Sequence, residues 1–194
     1  MARWLGVDVG GQRKGFDVAV IDQSGLLALE NGLKCQDVLD LVVASEPTVV
    51  AIDGPRSCAP DGQTARAEER QLARKICGIR WTPDAQHVRA SPYYAWILEG
   101  LELFDALAGY AVDVIEVFPT ASWTRWRGKR GSRTRANWTR DGLAAMGLGG
   151  VPSRTNQDQR DAIAAAVTAR QYSLAETEEI GEIVVPLTVT RRSC

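Results

Sequence analysis

Apolar residues along this chain recur with two periods, and the switches between them lay out the elements. Residues 3–9 (R-W-L-G-V-D-V) read as a buried strand, 16–21 (F-D-V-A-V-I) as a second, and 26–30 as a third. The Asp22-Gln23-Ser24-Gly25 turn and the short spacings predict antiparallel hairpins. Residues 35–45 place Val38, Leu39, Leu41, Val42 and Val43 at helical spacing, and Pro47 closes that helix. Residues 48–53 are nearly all apolar, as expected of a central parallel strand covered on both faces.

A Pro/Gly-rich loop at 54–62 leads to a helix at about 64–77, and Pro92 opens another that runs to about 108. Residues 112–118 (V-D-V-I-E-V-F) predict a fifth strand, and an alanine-rich stretch at 156–172 predicts a long helix. Residues 182–189 read as a late strand or an extended tail. Hairpin-linked strands followed by alternating helices and strands predict an α/β domain. Its sheet is expected to be mixed and five-stranded, with three antiparallel and two parallel strands flanked by helices.

Composition narrows this only slightly. The chain has 194 residues, which suits a single domain over 1–194, with 45% hydrophobic and 24% charged residues. No run of about 18 apolar residues and no signal-peptide pattern occurs, so a cytoplasmic protein with no membrane partner is expected. Cys35, Cys58, Cys77 and Cys194 lack C-x-x-C spacing, and His87 is the only histidine, which argues against a structural zinc site. His87 reads as a general base or, more simply, as a surface residue.

Net charge is −1, so any affinity for nucleic acid has to come from local charge. Residues 123–140 supply it as a basic loop insertion. Arg125, Arg127, Lys129, Arg130, Arg133 and Arg135 are interleaved there with Trp123, Trp126 and Trp138. Cations can neutralise phosphates while an aromatic ring such as Trp126 stacks on a base. The plain alternative is a solvated loop whose tryptophans pack on the core. Arg56, Arg66 and Arg70, after the fourth strand, either line a cleft or pair with Glu68 and Glu69.

The most informative positions are acidic. Asp8 and Asp53 end apolar, strand-like runs, Glu116 lies in the fifth strand, and Asp158 and Asp161 sit one turn apart at the start of the last helix. Buried charge is costly unless a cation meets it. If the first and fourth strands are parallel neighbours, Asp8 and Asp53 lie about 4.8 Å apart across the ladder. Oxygen ligands without histidine or thiolate favour Mg²⁺ or Mn²⁺. Each acid alone also reads as a turn residue, a cap or an ion-pair member. Their joint order points to a metal site.

The motifs G-V-D-V-G-G at 6–11, A-I-D-G-P at 51–55 and D-Q-R-D-A at 158–162 resemble those of RNase H-like nucleases. The last is similar to the corresponding helix of RuvC-type Holliday-junction resolvases. V-I-E-V-F-P-T-A at 114–121 and R-x-x-E-R-x-L-A-R at 66–74 are closer to an uncharacterised family of predicted RNase H-fold nucleases, a domain of unknown function. The resemblance implies an RNase H-like fold with Asp8, Asp53 and Asp161 as catalytic acids. Asp158 and Glu116 would be further metal ligands. Asn156-Gln157 departs from the pattern, since a histidine is more usual there.

The expected function is therefore a metal-dependent nuclease that hydrolyses phosphodiester bonds of DNA or RNA by metal-activated water, with Mg²⁺ or Mn²⁺ as cofactor. A nucleotide-binding protein of the actin and sugar-kinase kind is the alternative, as is a non-catalytic nucleic-acid binder on the same core. The tryptophans and the late strand would permit a homodimer.

Overall fold

The computed structural model describes residues 1–11 and 13–188. Three strands form an antiparallel meander: β1 (Trp4–Val9), β2 (Phe16–Ile21) and β3 (Leu26–Leu33). Helix α1 (Cys35–Ser45) then crosses over to β4 (Val49–Asp53), which pairs parallel to β1. Helices α2 (Ala67–Lys75), α3 (Ala85–Ala90) and α4 (Ala95–Leu107) precede β5 (Asp113–Val117), which is parallel to β4. The chain continues through α5 (Pro119–Arg127), α6 (Arg135–Met146) and α7 (Gln157–Ser173) to β6 (Thr177–Ile180) and β7 (Ile183–Pro186).

The sheet order is β3-β2-β1-β4-β5-β7-β6. The five expected strands are all present in the expected directions, but the sheet has seven. The addition is a β6–β7 hairpin whose β7 lies parallel to β5. Its two-residue turn, Gly181-Glu182, opens on a glycine at φ 62°, the Gly-first geometry that joins tightly paired strands. The expected late strand at 182–189 is thus placed at 183–186, and Val189 lies outside the described residues.

Both faces of the sheet are covered. On one, Leu5, Val7, Val18, Val50 and Ile52 pack with Val38 and Val42 of α1 and with Leu103, Phe104 and Leu107 of α4. On the other, Trp4, Ala19, Val49, Ala51 and Val117 pack against the alanines of α7 and against Trp123, Trp138 and Leu143 of α5 and α6. Helix α7 is buried for most of its length because small side chains let it lie close to the strands. No helix among the described residues is long and apolar enough to cross a membrane.

The basic segment at 123–140 is not a loop. It comprises the end of α5, a linker at 128–134 and the start of α6. Pro119 fits the first turn of α5, Gly128 at φ 73° ends it, and Thr134 caps α6 by accepting from Asn137 N at 3.2 Å. Fully buried Trp123 and Trp138 anchor both helices to the core, and that apolar period outweighs the basic residues between them.

Candidate functional site

Asp8 and Asp53 are direct partners across the parallel β1–β4 ladder, so both side chains project from the same face. Helix α7 covers that face. A capping box fixes where it begins: Asn156 Oδ1 accepts from Gln159 N at 2.7 Å, and the Gln159 side chain accepts from Asn156 N at 3.0 Å. Asp158 therefore falls in the first turn and Asp161 in the next. Both lie close enough to Asp8 to disfavour its ionisation.

Asp161 is buried and well partnered. It accepts from Trp123 Nε1 at 3.1 Å, from Gln157 Nε2 at 3.0 and 3.1 Å, and from an Arg135 guanidinium nitrogen at 2.7 Å. Asp158 is half-buried and pairs with the Lys14 ammonium. The Asp8 and Asp53 carboxyls are close enough to bear directly on each other, which favours a proton on Asp53 and opposes one on Asp8. Burial, reinforced by Asp161 and Asp158, pushes the Asp8 carboxyl up to about 8. Burial and then the Asp8 charge hold Asp53 well above the usual carboxylate range. Burial also raises Asp161, although Arg135 opposes it.

The four aspartates open onto a cleft of about 920 Å³. Lys14, Lys129, Arg130 and Arg135 line it from the β1–β2 hairpin and the α5–α6 region. Arg74, Lys75 and Arg80, from α2 and the residues after it, complete the cationic surround. The arrangement is an acidic centre bordered by exposed positive charge.

The donor set fits a hard divalent ion in type and in excess negative charge, since Asp161, Asp158 and Asp17 all raise the proton affinity of Asp8. Among the described residues, no three His, Cys, Asp or Glu side chains stand at ligating spacing as they are held here. Arg135 draws Asp161 aside, Lys14 draws Asp158, and Asp8 and Asp53 face each other across the ladder.

Glu116 does not join this centre. Its register partner on β4 is Ile52, one residue out of phase with Asp53, so its side chain leaves the opposite face. There it is buried against Arg66, which donates through Nη1 at 2.8 Å and closely through Nη2, and it accepts from Arg56 N at 2.8 Å. Arg66 also pairs with Glu69 at 3.2 Å, so this arginine ties α2 to the sheet and does not line the acidic cleft.

The expected nucleic-acid contacts divide. Lys129, Arg130 and Arg135 reach the cleft. Arg125 is engaged by Glu178 and donates to Thr188 Oγ1 at 2.5 Å. Arg127 is half-buried with its Nε enclosed, and Arg133 folds back on the carbonyls of Arg130 and Lys129 at 3.1 and 3.2 Å. Trp126 donates to Gln171 at 3.0 Å and packs edge-on against Trp123, so it is part of the scaffold. His87 is exposed and bonded to Asp84, outside the cleft. Cys35, Cys58 and Cys77 are free thiols.

Two features of the cleft and its border carry no distinctive signal in the sequence. Arg74 and Lys75 read there as an ordinary polar helix face, and Arg80 as part of the loop that follows. Asp17, a lone acid in the second apolar run, is the β2 partner of Asp8 and only 7% exposed. The one hint it gives is the same as that of Asp8, a charge inside a buried strand.

The profile of a family described as "Protein of unknown function (DUF429)" matches residues 6–183. No curated protein matches the sequence. Among solved structures, Thermus thermophilus RuvC aligns at 17% identity and a TM-score of 0.47, covering 89% of this chain and 96% of that one. T. thermophilus RuvC in complex with a Holliday-junction substrate aligns at 18% identity and a TM-score of 0.49, covering 89% and 95%.

Proposed function

The chain belongs to the DUF429 family of proteins of unknown function, and we propose that it is a metal-dependent nuclease hydrolysing phosphodiester bonds of nucleic acid at Asp8, Asp53 and Asp161. The observation that carries this reading is the convergence of these three carboxyls, from β1, β4 and α7, on one cation-bordered cleft. Buried carboxylates that raise one another's proton affinity are costly without a cation to offset them. The β3-β2-β1-β4-β5 order, with its first three strands antiparallel, also supports the RNase H-like core expected from the motifs.

Asp8 and Asp53 would hold Mg²⁺ or Mn²⁺ from the sheet and Asp161 from the helix, all through hard oxygen donors. When bound, such an ion would supply Lewis acidity for polarising a phosphate oxygen and a water. Gln157 and Trp123 would orient Asp161, and Arg135, which pairs with Asp161 here, would have to turn to the substrate for an ion to bind. Lys129 and Arg130, exposed and without an ion partner among the described residues, would neutralise backbone phosphates on one side of the cleft. Arg74, Lys75 and Arg80 would do so on the other. Cations on both borders favour a polymer over a single nucleotide.

The test is cleavage of labelled single-stranded, duplex and junction DNA and of RNA, in Mg²⁺ or Mn²⁺ and in EDTA. Asp8→Asn, Asp53→Asn and Asp161→Asn should each lose at least about 100-fold of the metal-dependent rate. Absence of cutting on every substrate, or cutting that survives these substitutions, would overturn the proposal.

A further inference from the structure

Lys14 occupies a second place where the acids meet. Strands β1 and β2 are joined by a tight hairpin, in which Gly10 N donates to Gly15 O at 3.0 Å and Gly15 N to Gly11 O at 2.7 Å. The hairpin carries Lys14 over the start of α7, where its ammonium pairs with Asp158. The same ammonium lies within electrostatic reach of Asp8 and Asp17.

The register explains why a cation belongs there. Asp17, Asp8 and Asp53 are partners on three adjacent strands, so they form a row on the α7 face. Asp161 bears on the Asp8–Asp53 half of that row, and Asp158 on the Asp8–Asp17 half. Asp17 is only 7% exposed; the Gly32 backbone and the Asn156 side chain favour its carboxylate, while its buried Oδ2 is left without a hydrogen bond among the described residues. An oxygen so placed, beside two further carboxylates, calls for positive charge.

We infer that the centre takes one divalent ion, at Asp8, Asp53 and Asp161, and that Lys14 serves as its resident second cation among Asp8, Asp17 and Asp158. This rests on the metal-centre reading above. An ammonium there supplies one positive charge and three donors, so it can balance the acids and meet a phosphate oxygen. It cannot activate a water, which leaves that task to the single ion. Because Lys14 is 61% exposed, replacing it should not unfold the chain.

The experiment is Mn²⁺ titration followed by electron paramagnetic resonance on the purified full chain, with no substrate present. The wild type should bind one Mn²⁺, lost in Asp161→Asn. Lys14→Met, which keeps an unbranched stem and removes the charge, should bind two. Adding Asp17→Asn to Lys14→Met should return the count to one. Two ions in the wild type, or one in Lys14→Met, would overturn the role of Lys14 while leaving the metal centre standing. No bound ion in any of these proteins would overturn both readings together.

Discussion

Gly6 and Ala166 meet backbone to backbone: a Cβ on Gly6 would lie 2.1 Å from the Ala166 nitrogen and 2.2 Å from the Ala162 carbonyl oxygen. Gly6 points to the same face as Asp8, two residues further along β1, so this approach sets how closely the helical acids come to the strand acids. The atoms in the way are main-chain atoms of a buried helix, which cannot swing aside. Gly6→Ala should therefore lift α7 from the sheet and destabilise the protein by about 3 kcal/mol or more. Urea denaturation would show the loss, and Mn²⁺ affinity should fall with it. A variant as stable as the wild type would mean that α7 docks less tightly than described.

The raised Asp8 carboxyl gives the metal-free protein a pH dependence of definite sign. Its folded value of about 8 lies above the ordinary 3.8, so the folded state holds the proton more tightly than the unfolded chain. Stability from this group is fully present below about pH 4 and falls as pH rises toward 8. Asp8→Asn removes the cost of ionisation, so in EDTA it should melt higher than the wild type at pH 8, with the gap closing toward pH 5. Calorimetry at both pH values checks this. An equal gap at both would show that Asp8 ionises freely in the folded protein.

Glu116 should prove structural. Glu116→Gln leaves the buried Arg66 guanidinium with Glu68, Glu69 and the half-exposed Glu182. Breaking a buried pair costs about 3–5 kcal/mol, and the low end applies because those partners remain. Urea unfolding should register that loss, while Mn²⁺ affinity stays within about twofold because Glu116 leaves the face of the sheet opposite the acid cluster. A large loss of Mn²⁺ affinity in a stable variant would return Glu116 to the metal centre.

The separation of Glu116 from Asp53 marks the limit of what the sequence alone can tell. The apolar runs of β1, β2, β4 and β5 are strong because both faces of those strands are buried, and α7 announces itself by its alanines and its cap. Which face Glu116 uses depends on register with β4, a non-local pairing that no window of residues contains. The β6–β7 hairpin is obscured by Thr177-Glu178-Glu179, whose charges suggest a solvated tail, although I-G-E-I carries the turn signal. In the basic segment, the density of charge hides the helical spacing of Trp123, Trp126 and Trp138. Asp17 joins the row of acids only once the hairpin sets it beside Asp8.

The basic residues should separate into those that bind phosphate and those that hold the fold. Lys129 and Arg130 are exposed on the cleft, whereas Arg125 is pinned by Glu178 between α5 and the terminal hairpin. In an Asp161→Asn background, where strands stay intact, Lys129→Ala/Arg130→Ala should weaken binding to all sequences alike. On duplex DNA each neutralised phosphate adds about 0.9 to the steepness of log affinity against log salt, so removing both cations should flatten the slope by about 1.8. Arg125→Ala should leave the slope unchanged and lower the melting temperature instead, because it releases β6. Fluorescence anisotropy between low and moderate salt measures the first effect, and thermal unfolding the second. If Arg125→Ala flattened the slope as much as the double variant, the phosphate track would run along α5 rather than through the linker, and the cleft would not be the path of the nucleic acid.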